Sequence, residues 1–508
     1  MGVSAPGAST RTPLVIVIAL LAVGAAFGAL NLWHGVDGSS FEMWRESDVA
    51  AISRNYARDG MHFLYPQIDW RGNGPGYVEM ELPINPYLIA IGYRTLGFHE
   101  VIGRVIAFVF FLATVLVFLR LAEYTMPPPG PAVATLFYAV SPLTIRLANA
   151  LQPEPLMMLA YVGAVYTYVR WLEEDRWLWY WWAMALTALA VLAKAPAAHV
   201  GLVFIFFTIW RRGLTPFRQP WLYLFAIAAL LPSVLWYMHA RQFWLVYGNS
   251  LGASNHHHVV GLAALTQSQY ATGIASLELH YVWRKAGIAA LALGTFFAWR
   301  YGPRLRVFGY GYLWYAAVLI YYVLIAGTSA FDWSRYYHIV SMPPAALLLG
   351  GVTTALWMHR RRLAGVGQYA LAGVTACAVA YTLLSGVLQT WRGRHPRFNV
   401  PVYETARAFA PHIPPGVLIA ASGKECELPS GTDYNKPWYF YWTDHKGFTP
   451  CIEDHTMPVV QSLIQKGVQY FIVEQSVMAQ RPEFDADMRR TYTVVAETPV
   501  AVLFKLSN

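Results

Sequence analysis

Acidic residues gather at the two ends of the stretch from Trp44 to Arg104, which lies between the first two hydrophobic runs of the chain. Glu46 and Asp48 open this stretch, and Glu79 and Glu81 lie near its end. A carboxylate can act as a general base, because it accepts the proton of a hydroxyl while that oxygen forms a new bond. Neighbouring acids raise the pKa of such a group towards the range in which proton transfer is useful. Acids in loops are usually solvated surface groups, so that interpretation remains open.

A short amphipathic segment carries Asp48. Val49, Ile52 and Tyr56 recur at helical spacing, which predicts a helix. Ser47 fits the N-cap of that helix and would place Asp48 in its first turn, where the helix dipole favours an ionised carboxylate. We expect such a short helix, placed between two membrane spans, to lie in the membrane interface.

The composition is that of a membrane protein. Of the 508 residues, 56% are hydrophobic and only 13% are charged, and several apolar runs reach the roughly 20 residues that cross a bilayer. The formal net charge is +9, but the arginines cluster beside hydrophobic runs, which is typical of membrane topology signals. We therefore expect membrane lipids and no nucleic acid as partners.

The hydrophobic runs predict eleven membrane spans. The predicted fold is a polytopic α-helical membrane protein of residues 1–390, with external loops at 34–100 and 239–284, followed by a small α/β domain of residues 391–508. The spans lie at about 13–33, 101–123, 131–148, 154–172, 177–193, 197–212, 220–238, 285–299, 307–327, 336–357 and 368–389.

The arginines predict the orientation. Those near residues 11, 170, 211, 300 and 360 all fall on one side of the eleven-span count, and the positive-inside rule makes that side the cytoplasm. The N-terminus is then cytoplasmic, while the first loop and the C-terminal domain are extracytoplasmic, in a multi-pass protein of the cytoplasmic membrane. An oxidising exterior favours a disulfide between Cys426 and Cys451, with Cys377 inside a span.

The motifs around the first loop resemble those of the GT-C membrane glycosyltransferases. An acidic pair follows the first span, an interfacial helix comes next, and Glu81-Leu82-Pro83 precedes the segment LGFHEVIGR. Within that class the chain is most similar to the protein O-mannosyltransferases and the lipid A aminoarabinose transferases. The resemblance implies a sugar donor carried on a polyprenyl phosphate. It also implies that Asp48 is the catalytic residue, although Val49 stands where the family has Glu and Leu82 where it has Lys.

The same resemblance implies roles for residues later in the chain. Lys194, in the sequence LAKAP, corresponds to a lysine near the lipid phosphate, with Ala195 in place of the family's Gly. Arg335 and Tyr336 correspond to residues that face the donor phosphate, and Glu154 stands where the family usually has Asp. The predicted substrate-binding set also includes three acids of the first loop: Glu46, Glu79 and Glu81.

Several of these residues have a second interpretation. Lys194 ends a hydrophobic run, where a lysine can extend its ammonium group to the lipid headgroups. Arg335 can form a simple ion pair with Asp332. Glu154 fits a helix cap equally well, and Glu81 either orients the acceptor or caps the second span.

Three consecutive histidines in the loop 239–284 invite a metal interpretation. Consecutive histidines cannot all reach one ion from a regular helix, and no adjacent carboxylate completes a ligand set. We therefore expect a polar loop that closes over the substrate, with His258 at the substrate. The related oligosaccharyltransferases bind a divalent cation with their loop acids, so a metal at Asp48 stays an alternative. No second acidic motif lies near Asp48 in the sequence, and we expect no cofactor.

The predicted function is a hexosyl or pentosyl transferase on the outer face of the cytoplasmic membrane. The family resemblance implies transfer from a polyprenyl-phosphate sugar to a lipid, glycan or protein acceptor, with inversion at the anomeric carbon. A transporter or lipid flippase is an alternative from a different class, but inverted repeats and Gly/Pro-interrupted helices at the midplane are not visible. A noncatalytic assembly or carbohydrate-binding subunit is a third.

Overall fold

The chain folds as two compact units. The computed structural model describes residues 11–39, 43–252, 260, 266–301, 305–393, 399–423 and 436–506. Unit 1 comprises Met1–Leu32, Ala107–Ser233 and Asn255–Arg394, and unit 2 comprises Trp33–Ile106, Val234–Ser254 and His395–Asn508. The boundary near residue 394 lies close to the domain boundary predicted at residue 390. Unit 2 also takes in the first loop, which the sequence analysis did not anticipate.

The part of the chain before residue 393 is helical. Its α-helices are α1 Leu14–Gly28, α2 Met43–Asp59, α3 Ile84–Leu96, α4 Val101–Thr125, α5 Gly130–Val140, α6 Pro142–Leu147, α7 Glu154–Glu174, α8 Trp177–Ala193, α9 Val200–Arg212, α10 Pro220–Tyr247, α11 Ser268–Leu277, α12 Ala286–Tyr301, α13 Arg306–Leu324, α14 Ala326–Ser329, α15 Met342–His359 and α16 Val366–Arg392. Short 3-10 helices lie at Ala195–His199, Thr215–Arg218 and Asp332–Ser341, and a π-helix lies at Glu278–Val282.

Each predicted span overlaps a helix of this set. The third span is divided between α5 and α6 at Ser141, whose φ of −63° and ψ of 135° are extended, because the residue before a proline avoids the helical region. The number of spans stays a prediction. Within the described residues, five helical runs are long and apolar enough to cross a bilayer: Val101–Thr125, Pro220–Tyr247, Arg306–Leu324, Asp332–His359 and Val366–Arg392.

Helix α15 forms the centre of unit 1. Its residues 342–352 are all buried, and it packs against α5, α12 and α13. Gly130 of α5 and Gly350 of α15 meet where a Cβ on either would overlap the other's backbone oxygen, so glycine permits this close helix contact. The 3-10 helix Asp332–Ser341 leads directly into α15 and carries Arg335 and Tyr336.

The C-terminal part of unit 2 contains a small mixed sheet. Its strands are β1 Leu418–Ala421, β2 Lys446–Phe448, β3 Val468–Glu474, β4 Thr493–Glu497 and β5 Ala501–Lys505, in the order β2-β1-β3-β5-β4. Strand β1 is parallel to β2 and β3, whereas β5 is antiparallel to β3 and β4. The helices of this part are α17 Val400–Phe409, α18 Trp438–Thr443, α19 Met457–Gln465, α20 Gln475–Gln480 and α21 Pro482–Thr491, with 3-10 turns at Ala410–His412 and Ile452–Asp454.

The first loop and the sheet share one hydrophobic core. Alternate residues of a strand point to opposite faces of a sheet, and one face, with Ile419 and Leu503, packs with Ile52 and Tyr56 of α2 and with Trp70. The other face packs against helices of the C-terminal part: its core includes Phe471 and Phe504 of the strands, Val460 of α19 and Phe484 of α21. Helix α2 is therefore a buried element of a folded unit.

The cysteines agree in part with the sequence prediction. Cys451 is disulfide-bonded and Cys377 is free. Cys426, the predicted partner of Cys451, lies outside the described residues.

Candidate active site

Asp48 lies inside a helix and not at its start. Helix α2 begins at Met43, so Ser47 is already in helical backbone and the predicted N-cap is wrong. The side chain of Asp48 is completely buried, at 0% exposure. Its Oδ1 accepts a hydrogen bond of 2.9 Å from the indole nitrogen of Trp70. Its Oδ2, like the Ser47 hydroxyl, has no hydrogen-bond partner among the described residues.

Burial controls the protonation of Asp48. Removal from water raises its pKa to about 8, because the charged form loses solvation. The hydrogen bond from Trp70 and the positive charge of Arg45 oppose this rise, and the negative charge of Asp69 adds to it. A carboxylate with such a pKa takes up and releases its proton near neutral pH.

The other three acids predicted for the site each contact an arginine. Glu46 pairs with Arg104 at 3.2 Å, Glu81 pairs with Arg45, and Glu79 lies 3.6 Å from Arg241. Glu79 also accepts a 2.7 Å hydrogen bond from the Ser250 hydroxyl.

Glu46 and Glu79 are each 1% exposed, so the interpretation as solvated surface acids does not fit them. Glu81 pairs with Arg45 of α2, and helix α3 begins three residues later, without a side-chain hydrogen bond at its N-cap. The four acids lie in one unit, and Asp48 differs from the others because no ion pair joins it to a described side chain.

Unit 1 brings three of the predicted substrate-binding residues together. Lys194, which follows the last residue of α8, is hydrogen-bonded to Glu154, the first residue of α7. The Lys194 ammonium nitrogen lies 4.6 Å from the ring centre of Tyr336 and 4.9 Å from that of Tyr337. The second carboxylate oxygen of Glu154 has no hydrogen-bond partner within the described chain.

A small cavity adjoins Glu154. Its volume is about 20 Å³, and its lining includes Tyr138, Thr144 and Glu154. That volume holds one water molecule. Such a water would satisfy the free carboxylate oxygen of Glu154 and the Thr144 hydroxyl, which also has no hydrogen-bond partner in the described structure.

Arg335 is held by two neighbours. Its guanidinium lies 3.2 Å from the carboxylate of Asp332, so the predicted alternative pair is present. It also donates a 2.7 Å hydrogen bond to the hydroxyl of Tyr281 in the π-helix, and that hydroxyl donates at 2.8 Å to Asp332. Asp332 is exposed, whereas the side chain of Arg335 is mostly buried, at 14% exposure.

A buried polar cluster lies next to Arg335 and was not predicted from the sequence. Glu278, at the start of the π-helix, accepts hydrogen bonds from the hydroxyls of Tyr315 and Ser341. It also lies 2.5 Å from His338 Nδ1, while His338 Nε2 donates to the carbonyl of Ser329 at 2.8 Å. Two features of the sequence could have indicated this cluster. Glu278 lies in LELHYVWR beside an apolar run, and His338 lies in SRYYHIV. Sequence spacing alone does not show that the two meet.

The three histidines considered as metal ligands are not among the residues that the structure describes. His256, His257 and His258 lie outside the described residues. Elsewhere in the described chain, no group of three or more His, Cys, Asp or Glu side chains is arranged to hold a metal ion.

Comparison with known proteins identifies the fold. Residues 81–238 match the sequence model of the family described as dolichyl-phosphate-mannose-protein mannosyltransferase. The structure is similar to that of ArnT from Cupriavidus metallidurans bound to undecaprenyl phosphate, with a TM-score of 0.60 at 14% identity, over 98% of this chain and 99% of ArnT. The chain has the GT-C fold. The resemblance predicted from the sequence is thereby confirmed.

Two other GT-C structures are similar over most of this chain. The apo oligosaccharyltransferase of Archaeoglobus fulgidus has a TM-score of 0.58 at 13% identity, over 91% of this chain and 69% of that protein. The arabinofuranosyltransferase AftD from Mycobacteria has a TM-score of 0.54 at 15% identity, over 98% of this chain and 40% of AftD. A search of curated proteins gives no match.

Proposed function

We propose that the protein transfers a sugar from a polyprenyl-phosphate donor to an acceptor hydroxyl on the outer face of the cytoplasmic membrane. The observation that carries this proposal is the carboxylate of Asp48, which is buried in a GT-C fold with one oxygen held by Trp70 and the other free of described partners. A buried polar atom without a partner is rare in folded proteins and often marks a catalytic group. The mannosyltransferase family match and the undecaprenyl phosphate bound to ArnT support this donor class.

The proposed reaction is a single displacement. Ionised Asp48 accepts the proton of the acceptor hydroxyl as the acceptor oxygen bonds to the anomeric carbon. The bond between that carbon and the phosphate oxygen breaks, and its electron pair stays on the polyprenyl phosphate. Attack from the face opposite the leaving group inverts the anomeric carbon. Trp70 holds one oxygen of Asp48 and leaves Oδ2 to take the proton.

Lys194 and Arg335 are proposed to contact the donor phosphate. The leaving phosphate gains negative charge as the glycosidic bond breaks, so fixed cations stabilise the transition state more than the ground state. Support comes from unit 1, where Lys194 lies against the ring of Tyr336, the residue that follows Arg335. Glu154 holds Lys194 in place in the absence of donor.

Glu46, Glu79 and Glu81 are proposed to line the substrate site around Asp48, and His258 is proposed to lie in a loop that closes over it. We propose no metal or other cofactor, because a lipid phosphate is already a competent leaving group. The acceptor classes are a lipid, a glycan or a protein. The arginine distribution supports a cytoplasmic N-terminus and an outer site.

The experiment measures transfer and lipid movement in one preparation. The purified protein in liposomes is incubated with a panel of radiolabelled polyprenyl-phosphate sugars and a membrane extract, and label is followed into products and between leaflets. We expect label in a product with the wild type and with Asp485→Asn, a surface variant, and none with Asp48→Asn. Movement of labelled lipid between leaflets without transfer from any donor would support the transporter alternative instead.

A further inference from the structure

The sheet of the C-terminal part continues into the first loop. The backbone of Gly447 in β2 donates a 3.0 Å hydrogen bond to the carbonyl of Asp69 and accepts one of 2.7 Å from the amide of Gly72. Gly447 is required here, because a Cβ would overlap the carbonyl of Ile419 in β1. The segment 69–72 is thus bonded to the edge of the sheet, and Trp70 is within it.

A buried arginine makes a second connection between the same parts. Arg54 of α2 is 5% exposed. It pairs with Asp69 at 2.7 Å and with Asp444, which follows α18, at 2.9 Å. It also donates to the carbonyl of Tyr441 at 3.0 Å and lies 4.7 Å from the centre of that ring. Buried charges of this kind are costly to leave unpaired, so the arginine holds both parts in one arrangement.

Further contacts fix α18 and the residues beside Trp70. Asp69 also accepts a 2.8 Å hydrogen bond from Asn55 of α2, and Tyr441 donates a 2.5 Å hydrogen bond from its hydroxyl to Glu100. Asp444 pairs with Arg58 at 2.7 Å as well. Burial raises the pKa of Asp444, but the hydrogen bond from Arg58 and the charge of Arg54 outweigh it, so the net pKa is lowered and the residue stays charged.

We propose that α18 and β2 of the C-terminal part position Trp70 against Asp48, so that Arg54, Asp69 and Asp444 are positioning residues for the candidate base. The inference rests on the proposed function for its catalytic meaning. The contact itself, from Asp444 through Arg54 and Asp69 to Trp70, is independent of that function. The C-terminal part would then be needed for the chemistry.

The ionisation of Asp48 reports the position of Trp70, because the groups around Asp48 set its pKa. Arg45 of α2 and Asp69 act on it by charge, and Trp70 acts by a hydrogen bond that favours the ionised form. Helix α3, packed on α2, carries Tyr87 and Tyr93, neither of which is hydrogen-bonded to Asp48 in the described contacts. A displaced Trp70 therefore makes Asp48 harder to ionise, whatever the substrate.

The test measures protonation of Asp48 without using transfer. Hydrophobic carbodiimides label protonated buried carboxyls, so the full-length protein is labelled across a pH series and the peptide containing Asp48 is quantified by mass spectrometry. Asp48→Asn provides the unlabelled control for that peptide. We expect Trp70→Phe to move the labelling midpoint upward by about one pH unit, since it removes a hydrogen bond to the charged form.

The decisive variant is Asp444→Asn, compared with Asp485→Asn. Asp485 is also paired with an arginine, at 2.7 Å from Arg489, but on the surface of the same C-terminal part. We expect Asp444→Asn to move the midpoint upward by about a third of a pH unit or more, and Asp485→Asn to leave it unchanged. In the Trp70→Phe background Asp444→Asn should add nothing, because the effect passes through Trp70.

Two results would overturn the inference. One is an unchanged labelling midpoint of Asp48 in Asp444→Asn. The other is a shift by Asp444→Asn that is the same in the wild-type and Trp70→Phe backgrounds. If Asp444→Asn does not fold, Tyr441→Phe replaces it, because that change removes the hydroxyl bonded to Glu100 and alters no ionic charge. Asp444→Glu should restore most of the wild-type midpoint. If Asp48→Asn retains full transfer, the proposed function fails, and the labelling series still decides this inference.

Discussion

At the scale of single residues, the acids of the first loop differ in what their oxygens contact. Glu46, Glu79 and Glu81 each lie within 4 Å of an arginine. Among the described residues, Asp48 accepts a hydrogen bond from the indole of Trp70 on one oxygen and has no partner on the other. An arginine occupies the oxygens of a carboxylate with charged hydrogen bonds. Asp48 is therefore the acid of this group best suited to accept a proton from a substrate.

The first prediction concerns the base itself. Asp48→Asn keeps the size of the side chain but cannot accept a proton, so we expect the rate of sugar transfer to fall by about 100-fold or more. The measurement is single-turnover transfer by purified protein, with Asp485→Asn as the folded control. Transfer near the wild-type rate would contradict the role. A chelator should leave the wild type active, and inactivation by it would favour the metal alternative.

The second prediction follows from the protonation of Asp48. Its pKa of about 8 means that the base is mostly protonated at neutral pH, so kcat/KM should rise with pH and level off above pH 8 or so. The check is a pH profile on a nonionising acceptor. A flat profile between about pH 6 and 9 would argue against Asp48 as the titrating group.

The third prediction is the matching effect on stability. The pKa of Asp48 is raised from 3.8 to about 8, so the folded protein holds this proton more tightly than the unfolded chain. The contribution of this proton to the free energy of unfolding is fully present below about pH 4 and is lost as the pH rises through about 8.

Asparagine carries no such ionisation. We therefore expect the thermal unfolding midpoint of Asp48→Asn to exceed that of the wild type by an amount that grows between about pH 4 and 8 and is then constant, reaching a few degrees. A scanning fluorimetry series measures it. If the unfolding midpoint of Asp48→Asn exceeded that of the wild type by the same amount at every pH, Asp48 would not be the group with the raised pKa.

At the scale of elements, two helix ends and a 3-10 helix bring three of the predicted substrate-binding residues together. Lys194 lies at the end of α8, Glu154 opens α7, and the 3-10 helix before α15 carries Tyr336. Helix α15 is buried along most of its length, which gives the 3-10 helix a rigid support.

The fourth prediction separates phosphate contacts from surface cations. We expect Lys194→Ala and Arg335→Ala each to cost about 2–4 kcal/mol in kcat/KM, with the double variant costing less than the sum. The control is Arg490→Ala, which removes an exposed cation that is paired with Asp487 on the surface.

Lys194→Ala also leaves Glu154 buried without its cation, which destabilises the fold. The variant Lys194→Ala with Glu154→Gln removes that stranded charge, so it should regain stability but not activity. If the single variants lost little kcat/KM and the losses added in the double variant, Lys194 and Arg335 would instead be cations that extend to the lipid headgroups.

At the scale of the whole molecule, unit 2 joins segments that are far apart in the chain. The first loop and the C-terminal sheet share a hydrophobic core, and Arg54 hydrogen-bonds to Tyr441 across 387 positions. Segments that share a core must lie on one side of the membrane. The first loop and the C-terminal part are therefore on the same side, whichever side that is.

The fifth prediction is the topology. Eleven spans with arginines in the cytoplasm put Gly213 inside and the C-terminal part outside. Reporter fusions at Gly213 and after Asn508, each with one enzyme active only inside and one active only outside, should give opposite signals. The same side for both fusions would refute the span count, and reversed signals would refute the orientation.

Several features of this protein are determined by its sequence alone. Long apolar runs form helices because every backbone polar group must be satisfied within the bilayer, and each predicted span overlaps a helix of the structure. The acids of the first loop, Lys194 and Arg335 could be predicted because each lies in a short sequence motif. The error at Ser47 was also local, since a serine that fits an N-cap can equally lie one turn inside a helix whose start is set by packing.

The tertiary structure decided which of these residues meet. The burial of Asp48, its bond to Trp70, and the ties from Arg54 to Asp69 and Asp444 depend on a core that forms between the first loop and the sheet. The pairing of Lys194 with Glu154, 40 positions apart, depends on how α7 packs against α8. Local patterns carry no information on such distant contacts, because the free energy that selects them comes from burying many side chains together.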